Sequence, residues 1–171
     1  MRTISYTEAM QPFFEKLTCS GAFLTTNDAK INTMTIAWAS IGFYWNKPVM
    51  TVMVRDSRYT YPAIKNKQEF TVSVPTKEPL KKALGVCGSV SGRDCDKIAE
   101  AELTVTPVQH IDTPIIAECG LHFECRVLLT QPMPHRDMPG ALPAELNKQW
   151  YPVKDYHDMF VGEILAAYYT D

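Results

Sequence analysis

The sequence predicts a mainly β, single-domain fold in which antiparallel strands form a barrel decorated by a few short helices. Segments rich in β-branched and aromatic residues recur between turn signals over most of the chain. One of them alternates apolar and polar residues with period two, as a strand with one buried face does, and another is apolar on both faces. Strands and helices do not alternate strictly, and no Gly-x-Gly-x-x-Gly follows a strand, so a doubly wound nucleotide-binding sheet is disfavoured. With 171 residues the chain is long enough for one substantial core and too short for two, so residues 1–171 are read as one domain.

Taken in order, Thr7 to Leu17 has a helical pattern, and Gly21 to Thr26 and Met34 to Ile41 read as strands. Val49 to Val54 reads as a strand buried on both faces, followed by a helix over Tyr61 to Asn66. In Phe70 to Val74, the apolar Phe70, Val72 and Val74 alternate with Thr71 and Ser73, which predicts one buried face. Helices follow at Leu80 to Val86 and Lys97 to Glu102, and strands at Leu103 to Val108 and Leu121 to Leu129. Pro132 to Pro152, with five prolines and one glycine, reads as a long irregular insertion that holds a short helix at Ala144 to Trp150. Met159 to Tyr169 is the last strand.

Composition narrows the function classes. Lys and Arg number 17 against 19 Asp and Glu, so no net basic field attracts nucleic acid. The longest mostly apolar run, Pro48 to Val54, is too short for a membrane helix, and Met1 to Glu8 lacks the apolar stretch of a secretory signal. A cytoplasmic protein is expected. The five cysteines are odd in number and contain no Cys-x-x-Cys pair, which reads as reduced thiols. Cys119, His122 and Cys125 invite a metal, but on one strand 119 and 122 point to opposite faces, as do 122 and 125; no metal site is expected.

Two segments have the chemistry of a binding site. Arg55-Asp56-Ser57-Arg58-Tyr59-Thr60 follows a strand and leads into the helix at Tyr61-Pro62-Ala63-Ile64. Two guanidinium forks, the Ser57 and Thr60 hydroxyls and the positive end of the helix dipole all favour a phosphate monoester there. Helix capping by Ser57 or Thr60, with the arginines in solvent, accounts for the same spacing. Asn32-Thr33-Met34-Thr35-Ile36-Ala37-Trp38-Ala39-Ser40 opens a strand after the turn 27–30. Its backbone groups can match the edge of a planar heterocycle, with Met34 and Trp38 as soft or flat contacts. A core Trp38 and a turn Asn32 are the plainer account.

The order Asn-x-Met-Thr-x-x-Trp, Arg-x-Ser-Arg-Tyr-Thr, then Cys87-Gly88-x-x-Ser91-Gly92-Arg93-Asp94-x-Asp96-Lys97 and His157-x-x-Phe160-Val161-Gly162-Glu163-Ile164 resembles the flavin reductase-like FMN-binding split-barrel family, the flavoredoxins in particular. The resemblance covers roughly Gly21 to Tyr169. It implies a six-stranded antiparallel Greek-key split barrel, non-covalent FMN and a homodimer with flavin sites near its interface. By the same resemblance Asn32, Thr33, Met34, Thr35, Ala37 and Trp38 are isoalloxazine and ribityl contacts, while Arg55, Ser57, Arg58, Tyr59 and Thr60 form the phosphate cradle with Lys97 added. His157 is the expected catalytic residue near the reactive flavin face. The chain reads Asp155-Tyr156-His157-Asp158 where relatives using NAD(P)H often carry Gly-Asp-His, and a structural histidine paired with Asp155 or Asp158 is the alternative. Cys87 stands at the family's Cys-Gly position, either facing the flavin or buried and inert. The implied function is an FMN-dependent oxidoreductase or electron carrier, fed by NAD(P)H or a redox protein and discharging to a protein or small acceptor; the alternative is an FMN-binding module without turnover, for storage or sensing.

Overall fold

The computed structural model describes residues 1–133 and 142–170. Its elements are β1 (Arg2–Thr3), α1 (Tyr6–Cys19), β2 (Ala22–Asn27), β3 (Ile31–Ile36), β4 (Ala39–Tyr44), β5 (Lys47–Arg55), α2 (Thr60–Lys67), β6 (Glu69–Val74), α3 (Lys81–Ser89), α4 (Lys97–Glu100), β7 (Val105–Thr106), β8 (Ile115–Ile116), β9 (Leu121–Pro132), α5 (Ala144–Trp150) and β10 (His157–Tyr169). Eight strands make one antiparallel sheet along the path β3-β2-β6-β9-β10-β5-β4, with β1 on β10; β7 and β8 form a separate ribbon. The expected six-stranded barrel is therefore corrected in strand number and in closure, because β3 and β4, the two ends of the path, share no ladder.

Those two ends are nevertheless consecutive in the chain. Only Ala37 and Trp38 separate Ile36 from Ala39, so the sheet curls until its edges come within about 11 Å at that corner, the reach of three extended residues. The single strand expected over Met34 to Ile41 is thus two strands on opposite edges of a seam. Inside the curl, Leu24, Met50, Val52, Val54, Phe70, Val72, Val74, Phe123, Cys125 and Phe160 form the core, and α1 adds Ala9, Phe13 and Leu17 at i, i+4 and i+8. A capping box starts α1: Ser5 Oγ accepts from the Glu8 N–H at 3.1 Å and the Glu8 carboxylate accepts from the Ser5 N–H at 3.2 Å.

Two burial expectations are exchanged. β6 is buried on both faces from Phe70 to Val74, because the 113–116 segment covers its outer side. There Thr71 Oγ1 donates to the Pro114 carbonyl at 2.6 Å and Ser73 Oγ accepts from the Ile116 N–H at 3.0 Å. On β5 the core takes Met50, Val52 and Val54, whereas Thr51 and Met53 are half-buried on the other face. Leu103 to Val108 supplies only the short β7, outside the main sheet. A second apolar cluster joins Phe23 of β2 to Leu84 and Cys87 of α3, with Leu103 and Ile116, and fixes α3 and the loop after it against β3. Within Pro132 to Pro152, β9 extends to Pro132 and α5 forms as expected; residues 134–141 lie outside the described residues.

Candidate functional site

The chain corner at Ala37–Trp38 opens onto a cleft made of two adjoining cavities of about 150 and 200 Å3, which share Met34, Thr35 and Arg58 as walls. One end is polar and the other aromatic.

The polar end is built by the loop 57–60, the α3 C-terminus and the loop before α4. No side chain caps α2. Ser57 Oγ instead donates to Asp155 Oδ2 at 2.9 Å, and Thr60 Oγ1 accepts from Asn32 Nδ2 at 2.9 Å. In the first turn of α2 Pro62 has no N–H and the Tyr61 N–H donates to the Arg58 carbonyl at 3.0 Å, so the Thr60 N–H and the positive dipole end are what the helix presents beside the cavity. Arg93 clips the two loops together: its Nη1 donates to the Ser57 carbonyl at 2.9 Å and its guanidinium lies 5.8 Å from the centre of the Tyr59 ring. Gly92 fits under Asn32 and Tyr59 only because it lacks a side chain; a Cβ there would collide with the Asn32 carboxamide and stand 2.6 Å from the Tyr59 ring.

Lys97 lies in this wall with 5% of its surface exposed, and its Nζ donates to the Cys87 carbonyl at 3.0 Å. Burial lowers its pKa, with the Cys87 thiol opposing and the Arg58 guanidinium adding to the effect. No carboxylate lines the cavity, and among the described residues neither Lys97 nor Arg58 has an ion-pair partner. A buried ammonium with unused donors is costly unless an anion completes it. The Cys87 thiol lines the same end and is pushed up to about 11 by burial, so it is a neutral thiol.

The aromatic end is walled by Met34, Ile36, Ala37, Trp38, Met53, Arg55, Trp150 and His157. His157 faces Arg55 across the β10–β5 ladder and its ring lies 5.1 Å from that of Trp38. Its Nδ1 shares a hydrogen bond of 2.7 Å with the Tyr151 hydroxyl. Burial, aided by Arg55 and Arg58 and opposed by Asp155, lowers its pKa to about 4, so the imidazole is neutral at pH 7. The alternative partners do not hold it: Asp155 is engaged by Arg55 and Ser57, and Asp158 accepts from the Tyr61 hydroxyl at 2.6 Å.

Of the residues singled out in the sequence, the cleft brings together Met34, Thr35, Ala37, Trp38, Arg55, Ser57, Arg58, Tyr59, Thr60, Lys97 and His157. Asn32 and Thr33 are outside its walls. Asn32 is 3% exposed and positions Thr60, while Thr33 is fully buried and donates to the Leu24 carbonyl at 3.2 Å. Arg55 belongs to the aromatic end, away from the polar one. Trp150 and Met53 also wall the aromatic end, and no motif in the sequence marks either. Trp150 reaches the cleft from the insertion, where no local pattern distinguishes a wall residue from a surface one. Met53 lies in an apolar run whose composition suggests burial on both faces, which conceals its place on the cleft side of β5.

Residues 17–171 match the sequence model of the flavin reductase like domain. An uncharacterised protein of Archaeoglobus fulgidus is 35% identical over 99 residues, 58% of this chain and 55% of its own, so the match spans about half the length of that relative. Among solved structures, the flavoredoxin from Methanosarcina acetivorans superposes with a TM-score of 0.68 at 30% identity, over 89% of this chain and 69% of that one. The flavoredoxin of Desulfovibrio vulgaris has the same TM-score, 0.68, at 24% identity, over 88% of this chain and 69% of its own, and shares the fold.

Proposed function

This chain belongs to the flavin reductase like domain family, and on that premise we propose that it binds FMN in the cleft and works as an oxidoreductase or electron carrier. The observation that carries the reading is Lys97, a buried cation without a carboxylate, in one wall with Arg58 and the uncapped start of α2. This donor set suits a phosphate dianion. Ser57, Arg58, Tyr59, Thr60 and Lys97 would hold the phosphate, and Met34, Thr35, Ala37 and Trp38 the ribityl chain and ring. Bound FMN supplies hydride and one-electron chemistry. The protein's part would be to contact the ring with Met34 and Trp38, shield it with aromatic side chains, and present a neutral His157 at the same end of the cleft. The donor is NAD(P)H or a redox protein, and the acceptor a protein or small molecule. We further propose a cytoplasmic homodimer.

Asp155-Tyr156 stand where relatives using NAD(P)H often carry Gly-Asp before the histidine, which bears on nicotinamide as the donor; a binding module without turnover is the second reading. Anaerobic titration of the holoprotein with NADH, NADPH and a reduced ferredoxin separates the two: bleaching by any donor supports the oxidoreductase, and none supports the module.

The cofactor assignment is tested by Arg58→Ala. A charge-assisted hydrogen bond contributes roughly 1.5–3 kcal/mol, so FMN affinity should fall about 10- to 100-fold while riboflavin, which lacks the phosphate, is held as before. Fluorescence-quenching titrations with both ligands decide it. Equal losses for the two, or none for FMN, would overturn the phosphate assignment.

A further inference from the structure

We propose that Trp150 is a cover over the aromatic end of the cleft, clamped in place by Arg55, and that it selects against a stacked dihydronicotinamide in favour of donors that need only edge contact. The inference rests on the flavin reading above and names the donor class for that site.

Trp150 ends α5 and lies edge-on to Trp38, ring centres 5.0 Å apart at 86°. It is 44% exposed while lining the cavity, so one side of the indole faces the cleft and the other faces water. That is the position of a cover and not of a core residue. Among the residues of α5 only Asn147 is buried, accepting from the Tyr156 hydroxyl at 3.1 Å, and Leu146 is as exposed as Trp150; the buried Tyr151 that follows stacks on Tyr156.

Arg55 ties the end that carries Trp150 to β5. Its Nη2 donates to the Trp150 carbonyl at 3.1 Å and its Nη1 to the Asp155 carbonyl at 2.6 Å. The Asp155 carboxylate lies 3.6 Å from Nη1, and the guanidinium sits 5.1 Å from the centre of the Tyr151 ring. Ser57 adds its bond to Asp155. The fork of Arg55 is thus spent on residues 150–155. It fixes the chain that carries the cover and reaches no wall of the polar end.

Size gives this arrangement its consequence. The aromatic cavity is about 200 Å3, below the roughly 300–1,000 Å3 of pockets that enclose a drug-sized ligand. Trp150 bounds the outer side of this cavity, so a second ring brought to stack on a bound flavin meets the indole. A dihydronicotinamide must stack to pass its hydride, and Trp150 stands on the outer wall. A one-electron carrier needs only approach to an exposed edge.

The experiment uses the FMN-loaded wild type, Trp150→Ala and Arg55→Ala. Anaerobic bleaching by NADH and by NADPH is measured against bleaching by reduced methyl viologen, with FMN and riboflavin affinities taken alongside. The ratio of the nicotinamide rate to the viologen rate should rise about ten-fold or more in both variants, equivalent to at least 1.4 kcal/mol of removed obstruction. Hydrogen exchange of the apoprotein should show residues 144–156 losing protection in Arg55→Ala and keeping it in Trp150→Ala. The FMN-to-riboflavin affinity ratio should stay at the wild-type value in Arg55→Ala, in contrast to Arg58→Ala. An unchanged rate ratio in Trp150→Ala overturns the cover, as does a variant that no longer holds FMN, since Trp150 is then a cofactor platform. A fallen affinity ratio in Arg55→Ala puts Arg55 on the phosphate and overturns the clamp. Failure of the wild type to bind either flavin would instead refute the cofactor reading itself.

Discussion

His157 meets the cleft as a neutral imidazole, and this has a measurable consequence for the rate. Its pKa of about 4 leaves no ionisation near 6.5 at the site, so the rate of flavin reduction should be flat between about pH 5.5 and 8 as far as this residue is concerned. Stopped-flow reduction across that range checks it; a step near 6.5 that vanishes in His157→Ala would contradict the burial. The same variant should slow reduction while leaving FMN affinity within a few-fold, and an unchanged rate would make the histidine structural. A second buried histidine, outside the cleft, bears on stability. His122 is fully buried between Ser73, the Cys119 carbonyl and Thr170, and burial takes its pKa from 6.5 to about 4. Below pH 6.5 the unfolded chain therefore binds a proton that the folded chain refuses. The stabilising contribution is full above about 6.5 and lost as pH falls toward 4, to the extent of about 3 kcal/mol for His122. Urea unfolding midpoints should fall from pH 7.5 to 4.5, and pH-independent midpoints would show that the buried histidines are not linked to folding.

At the scale of elements, the β4–β5 hairpin turns through Trp45 and Asn46, both with positive φ, 52° and 59°. This is the two-residue turn whose twist suits a hairpin, and glycine is its preferred second residue. Asn46→Gly should raise stability by a few tenths to about 1 kcal/mol in thermal or urea unfolding. On β10, Gly162 sits where a Cβ would stand 2.8 Å from Phe70 and 3.1 Å from Cys125, both fully buried. Gly162→Ala should cost roughly 1–3 kcal/mol by overpacking, read as a lowered unfolding midpoint. The elements also show what was legible locally. The helices at Thr7, Tyr61, Leu80 and Ala144 and the strands at Gly21, Phe70 and Leu121 carry their own periodicity and appear near the expected places. The break at Ala37–Trp38 has no Gly or Pro to mark it. It follows from the two sheet edges that the chain joins.

For the whole molecule, Phe43, Tyr44 and Trp45 at the hairpin tip are 54–61% exposed, and Leu128 and Leu129 of β9 are 40% exposed. Consecutive exposed aromatics of this kind are uncommon on a monomer's surface and fit an assembly. Light scattering of the FMN-loaded protein at micromolar concentration should give twice the chain mass, and a monomeric mass would count against a flavin site at a subunit contact. None of the described helices is long and apolar enough to cross a membrane. The sequence by itself determined the β class, two of the segments that line the cleft and the residue types suited to phosphate and ring, because strand periodicity and short motifs are local properties. Tertiary structure alone decided which faces are covered, as at β6, where a segment some forty residues downstream buries Thr71 and Ser73. It also turned Arg55 toward Trp150 and Asp155, and Asn32 toward Thr60. The physical reason is that a side chain's hydrogen-bond partner is set by what the curled sheet brings within about 3 Å, and those partners lie 28 to 100 residues away in the chain.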